Sequence, residues 1–199
     1  TGYQAAYNNT TGGINAYGYQ ALLNNTTANY NNAFGSFALQ QNTTGSSNTA
    51  LGHSALYSNT TASYNTAVGW SAMYSNTTGQ NTAYGAGALY TNSTGTANTA
   101  LGGTTSTVSS ALNANTTGSY NVAVGTGSLS SNTTASNNTA VGYQAGYSNT
   151  TGAESVYIGQ NAGYSATTNG QNTFVGRYAG YSTTGGYNCF IGYGAGNAV

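Results

Sequence analysis

Asn65-Thr66-Ala67-Val68-Gly69 is one instance of a phrase that returns along the whole chain. Its glycine reappears as Gly2, Gly18, Gly35, Gly52, Gly69, Gly85, Gly102, Gly125, Gly142, Gly159, Gly176 and Gly192. The steps are 17 residues, apart from three of 16 and one of 23. A fixed short period over 199 residues means units stacked in a row, each burying its inner side against the next, and excludes a globular domain built around one site.

Aligned on the glycine, the unit reads Asn-Thr-Ala-Φ-Gly-x-x-Ala-Leu-Tyr-x-Asn-Thr-Thr-Gly-x-x, with Φ apolar. Φ runs through Tyr17, Phe34, Leu51, Val68, Tyr84, Leu101, Val124, Val141, Ile158, Val175 and Ile191, and two residues earlier stands Thr, Val122, Val156 or Cys189 in most coils. That alternation is a strand signal and puts the two positions on one face. A second short strand is expected through Ala-Leu-Tyr, with Asn-Thr-Thr-Gly as the turn, since Asn and Gly tolerate left-handed backbone. Seventeen residues are too few for a helix plus strands, but they suit one turn of a solenoid.

The fold class expected is therefore all-β: a β-solenoid (β-helix) of about twelve coils with a 17-residue repeat, as a single array over 1–199. At about 4.8 Å per coil the rod is roughly 50 to 60 Å long. The 23-residue step places a six-residue insertion within Gly103 to Ser110, expected to bulge from one corner. Both ends fall in mid-repeat, which reads as a segment of a longer fibre or a processed subunit.

Four residues after the glycine, the middle coils carry Leu22, Leu39, Leu56, Met73, Leu89, Leu112 and Leu129, and the last coils carry Gly146, Gly163, Gly180 and Gly196. Over the same stretch the Ala of Asn-Thr-Ala becomes Tyr157, Phe174 and Phe190. Volume lost at one position returns at another, so each ring is expected to fill space beside a glycine. A coil cored by Ala and Thr buries little apolar area. Ladders of identical Asn and Thr, or packing of several rods, are the expected compensation.

The chain has one Arg, one Glu, one His (His53), one Cys, no Pro and no Lys; 1% of it is charged, against about 25% in ordinary proteins. No cluster of cations exists to contact phosphates, so neither nucleic acid nor an anionic membrane is an expected partner. No apolar run is long enough for a membrane-spanning helix. Without a carboxylate pair, a Ser-His-Asp set or a multi-His cluster, no enzyme activity, metal site or cofactor is expected. Glu154 and Arg177 are expected to pair across coils, and Cys189 to act as a small buried residue or to cross-link chains. The recurring glycines fall at coil corners and do not precede a helix, so they form no phosphate loop.

Two rows are candidate sites. Asn9, Asn25, Asn42, Asn59, Asn76, Asn92, Asn115, Asn132 and Asn149 each begin Asn-(Thr/Ser)-Thr, which is both an N-glycosylation acceptor and a good turn and ladder former. Tyr7, Tyr57, Tyr74, Tyr90, Tyr147, Tyr164 and Tyr181 share the position five after the glycine. Stacked, they would form a stripe that packs against another rod or binds glycans. Lesser readings are ice binding by the Thr rows and an amyloid-like matrix filament.

The stretch Asn138-Thr139-Ala140-Val141-Gly142-Tyr143-Gln144-Ala145-Gly146-Tyr147-Ser148-Asn149-Thr150-Thr151-Gly152 resembles the repeat of bacteriophage tail-fibre and related virion-fibre proteins. Its shorter core is similar to the head repeat of YadA-like trimeric adhesins. The resemblance covers essentially the whole chain. It implies a stack of β-coils, often as three chains packed together, on a cell or virus surface. The function expected is a non-enzymatic structural segment of an extracellular or virion fibre that self-associates as a homotrimer or end to end. A glycan-binding adhesin module is the alternative.

Overall fold

The computed structural model describes residues 1–197. Eleven strands of three residues follow in chain order: β1 (Asn15–Tyr17), β2 (Asn32–Phe34), β3 (Thr49–Leu51), β4 (Thr66–Val68), β5 (Thr82–Tyr84), β6 (Thr99–Leu101), β7 (Val122–Val124), β8 (Thr139–Val141), β9 (Val156–Ile158), β10 (Thr173–Val175) and β11 (Cys189–Ile191). All are parallel and form a single sheet in sequential order. Equivalent repeat positions face one another, as in Thr66↔Thr82, Ala67↔Ala83 and Val68↔Tyr84. The chain is thus a β-solenoid of about ten turns between its first and last strands.

Each coil contributes one strand, not two. The Ala-Leu-Tyr stretch instead forms a run of tight turns, because alternate residues adopt left-handed backbone. In the coil of Gly69, Ser71 and Met73 have φ of 50° and 51°. Alternating right- and left-handed residues keep the chain in the plane of the coil and turn its N–H groups along the stack. Ser71 N–H donates to His53 in the coil before (2.8 Å), and Met73 N–H to Ala88 in the coil after (3.0 Å). Left-handed backbone costs a leucine or methionine about 1–2 kcal/mol. Burying that side chain at 0% exposure returns about 1.5–3 kcal/mol.

The repeat glycine is required by proximity as well as by conformation. Gly69 has φ +132°, and a Cβ there would stand 2.6 Å from both the carbonyl carbon and oxygen of Gly85. Coils approach backbone to backbone along this row, and no other side chain fits.

The core is a narrow column. The middle residue of nearly every strand points in, and Ala67, Ala72 and Met73 are each fully buried. Φ points outward, as do the Thr positions. The expectation that Thr lines the core is therefore corrected, and Asn takes that place. Asn25, Asn42, Asn59, Asn76, Asn92, Asn115, Asn132 and Asn149 are all 0% exposed. Along this row Asn115 Nδ2 donates to Asn92 Oδ1 (2.8 Å) and to the Gly118 carbonyl (2.9 Å), and Asn132 Nδ2 donates to Asn115 Oδ1 (2.8 Å). A second buried row opens the strand phrase: Asn48 Oδ1 accepts from the Asn65 backbone N–H, and Asn48 Nδ2 donates to the Ala62 carbonyl, both at 2.9 Å. Buried amides are tolerable because nearly every one is paired.

The ring-for-leucine exchange packs as expected. Gly146 is left-handed (φ +60°), and a Cβ on it would meet Tyr157 Cδ2 at 2.6 Å and Leu129 Cδ2 at 3.1 Å. Gly180 meets Phe174 at 2.6 Å in the same sense. Tyr157 and Phe174 are fully buried, and the Phe174 and Phe190 rings stack at 5.3 Å. Six residues are inserted within 103–110 as a corner loop that is exposed over 104–107 and pinned at its base. Ala111 N–H donates to the Gly102 carbonyl (3.0 Å), closing the loop, and Thr105 N–H donates to Val108 (2.9 Å). Val108 is only 7% exposed and lies over Gly127.

Candidate binding surfaces

With the amides inside, the outer sheet face is made of Φ and Thr. Leu51 is 49% exposed, Tyr84 48%, and Ile191 70%. Tyr17 and Phe34 stack at 4.9 Å at one end of this row. The Thr hydroxyls of β3 to β6 make no hydrogen bond within the described residues. One residue past the glycine, Tyr3, Tyr19, Trp70, Tyr143 and Tyr193 are also exposed. An apolar stripe flanked by hydroxyls and rings therefore runs the length of the sheet.

Cys189 lies on this face and is a free, exposed thiol, so the expectation that it is buried is corrected. It occupies the outward Thr position of the strand. Glu154 and Arg177 do not pair. Glu154 accepts from Gln171 Nε2 (3.1 Å), and Arg177 lies over the Tyr178 ring at 4.6 Å. His53 is exposed, its Nδ1 2.9 Å from Ser54 Oγ.

The tyrosine row does stack, as two triplets. Tyr57–Tyr74 and Tyr74–Tyr90 are 4.9 and 5.2 Å apart, and Tyr147–Tyr164 and Tyr164–Tyr181 are 5.2 and 5.0 Å apart, all nearly parallel. Tyr7 stands apart, with no stacked partner among the described residues and 70% exposed. The middle phenols, Tyr74 and Tyr164, are pushed above their ordinary value, first by desolvation and then by the flanking tyrosines. Because the rings lie on one another, their faces are consumed inside each triplet. The end ring Tyr181 also meets Tyr178 edge to face at 5.5 Å, and the stripe presents mainly edges and hydroxyls.

The triplet asparagines expected as glycosylation acceptors face inward in the folded rod. The Nδ2 atom that would carry a sugar lies inside the coil at eight of the nine triplets and donates to neighbouring amide or carbonyl oxygens. Asn9, in the first coil, is half-buried. The first threonine of the triplet is engaged as well: Thr43 Oγ1 donates to the Thr60 carbonyl and Thr133 Oγ1 to Thr150, both at 3.1 Å; the second, as at Thr44, Thr61, Thr94 and Thr134, is exposed. Among the described residues no group of three or more His, Cys, Asp or Glu comes together, and no helix is long and apolar enough to cross a membrane.

Sequence reasoning missed a third row, at the corner five residues before the glycine, where Tyr30, Tyr64, Tyr120 and Tyr187 stand out from the rod. The signal was available as a second tyrosine register, hidden because Gly, Ser, Ala, Asn, Gln or Glu fills it in other coils. Comparisons with protein-family models, with curated proteins and with solved structures find no match to this chain.

Proposed function

We propose that the chain is a structural segment of an extracellular or virion fibre, a rigid rod and attachment scaffold that works without catalysis and associates with copies of itself. The observation that carries this reading is the unbroken register of eleven strands with an apolar row on the outside. A continuous ladder resists bending because every coil is hydrogen-bonded to both neighbours. The outward row gives lateral association a surface: about 50 Å long and about 13 Å wide from the Thr position to the residue after the glycine, at about 4.8 Å per coil and 3.3 Å per residue. Two such faces bury roughly 1,300 Å², within the range of specific interfaces. With one cation and one carboxylate in the whole chain, nothing repels a second copy. Placement at a cell or virus surface, and the number three for the copies, rest on the resemblance to fibre and adhesin-head repeats.

The test is sedimentation and mass per unit length of the wild type against Leu51→Glu/Val141→Glu, both changes being outward. The wild type is expected to associate laterally, the variant to run as single folded rods. A wild type that stays a single rod at high concentration overturns the lateral reading. Under oxidation, Cys189 is expected to cross-link copies packed in parallel at equal height, and not copies packed antiparallel.

A further inference from the structure

The corner tyrosines do nothing evident for the fold. Tyr30, Tyr64, Tyr120 and Tyr187 hold left-handed backbone (φ 60°, 62°, 59° and 62°), a conformation costly for a bulky aromatic residue. Other coils hold the same left-handed corner with Gly13, Ser47, Ala97, Asn137, Glu154 or Gln171, so the fold requires the conformation but not a ring. The four rings are 62–83% exposed, and unlike the stacked triplets none has an aromatic neighbour among the described residues. Much of each ring is open to a ligand.

At Tyr64 the ring borders a groove. The next coil is one residue short, and the corners that follow carry Gln80 and the small Ala97. A notch of about 330 Å³ is left, with Thr82 and Thr99 also lining it. The hydroxyls of Thr82 and Thr99 and the side-chain amide of Gln80 make no hydrogen bond within the described residues. The amides of Asn81 and Asn98 are turned inward, to the carbonyls of Gly95 and Gly118 (2.8 Å each). The notch thus combines an open aromatic face, free hydroxyls and a free amide, with no charged group on its wall.

We propose that this notch is a subsite for a neutral sugar ring. The C–H face of a sugar packs on the Tyr64 ring, and its hydroxyls exchange hydrogen bonds with Thr82, Thr99 and Gln80. An anionic sugar or a nucleotide finds no cation here to pair with. Tyr30 stands two coils before and Tyr120 three coils after, about 10 and 14 Å along the axis, so a longer chain of sugars meets further rings. The notch shares Thr82 and Thr99 with the edge of the outward face, so a sugar bound there and a second rod would compete, and the inference moves the glycan contact from the stacked stripe to the corner.

The experiment is binding of malto-, cello- and manno-oligosaccharides to the intact chain by calorimetry, with rod integrity followed by circular dichroism. The substitutions are Tyr64→Ser and, as control, Tyr74→Ser. Each places the residue that another coil already carries at that position, Ser47 and Ser130, so both variants are expected to fold. At least one oligosaccharide is expected to bind. Affinity is expected to fall about ten-fold or more in Tyr64→Ser and to be unchanged in Tyr74→Ser. Thr99→Val, which preserves shape and removes a hydroxyl, is expected to weaken binding as well. No binding to any of the three series by the wild type overturns the proposal, as does a loss confined to Tyr74→Ser.

Discussion

Replacing Asn115 and Asn149 by alanine separates ladder energetics from simple loss of an amide. Asn115 lies mid-row. Its removal strands Asn92 Oδ1 and one proton of Asn132 Nδ2, both buried. The Gly118 carbonyl keeps its bond from Asn98. Each orphaned buried group costs about 1–3 kcal/mol, so Asn115→Ala is expected to destabilise by about 2–6 kcal/mol. Asn149 ends a row, because the next coil has Ala166 in place of Asn. Its own Oδ1 is already buried without a partner. Asn149→Ala strands Asn132 Oδ1 but deletes that orphan, and the Gly152 carbonyl still accepts from Asn138. The orphan count is unchanged, and only packing is lost. Urea unfolding followed by circular dichroism measures both, with amide exchange in the flanking coils, since stacked repeats need not unfold in one step. Equal costs within about 0.5 kcal/mol would refute the claim that cooperative amide ladders hold the column together.

Tyr157 carries a buried hydroxyl that makes no well-aligned hydrogen bond, although Ser155 and Asn172 lie near enough to favour its ionised form, in a row that continues as Phe174 and Phe190. Tyr157→Phe is expected to raise stability by about 1 kcal/mol, read as an upward shift of the urea midpoint. Burial also raises the Tyr157 phenol above its ordinary value of 10.0. A raised pKa gives stability that is complete below about pH 10 and lost as pH climbs toward the folded value; alkaline titration should show that loss, reduced in Tyr157→Phe. Gly146→Leu drives a side chain into the Tyr157 ring and is expected to cost about 1–3 kcal/mol by overpacking, while Tyr157→Ala leaves a cavity costing about 3–5 kcal/mol. Together they rebuild the Leu129–Ala140 pattern of the coil before, so the double variant should be more stable than the sum by at least about 1 kcal/mol. Strict additivity there would show that the two positions do not exchange volume.

The period, the strand at Asn-Thr-Ala-Φ and the place of the insertion were legible because they repeat. The turn run was not, because left-handed Leu and Met look like ordinary apolar positions. The clue was Gly146, Gly163, Gly180 and Gly196 in the same register: the exchange that reads as volume is also a relief of backbone strain. The role of the Asn triplets was ambiguous for a related reason, since one pattern serves as a glycan acceptor or as an internal ladder and only burial decides. Of the tyrosine rows, the stacked one followed from register alone, whereas the corner row needed the geometry of the turn.

Hydropathy alone would place Φ inside and Asn outside, and this chain does the reverse. The reason is room. A 17-residue coil with one strand encloses a column narrow enough that its strand position takes Ala through most of the stack. A ring enters only where the residue opposite becomes Gly. Larger apolar side chains must then face out, and amides that pair coil to coil fill the inner corners without strain on the register. The inversion has a consequence for function. Polar groups that would keep an ordinary protein dispersed are spent on the interior, and the exterior keeps an apolar row, open hydroxyls and almost no charge. Such a surface is poor at staying alone in water, and that is the strongest physical ground for reading the rod as one component of a larger fibre.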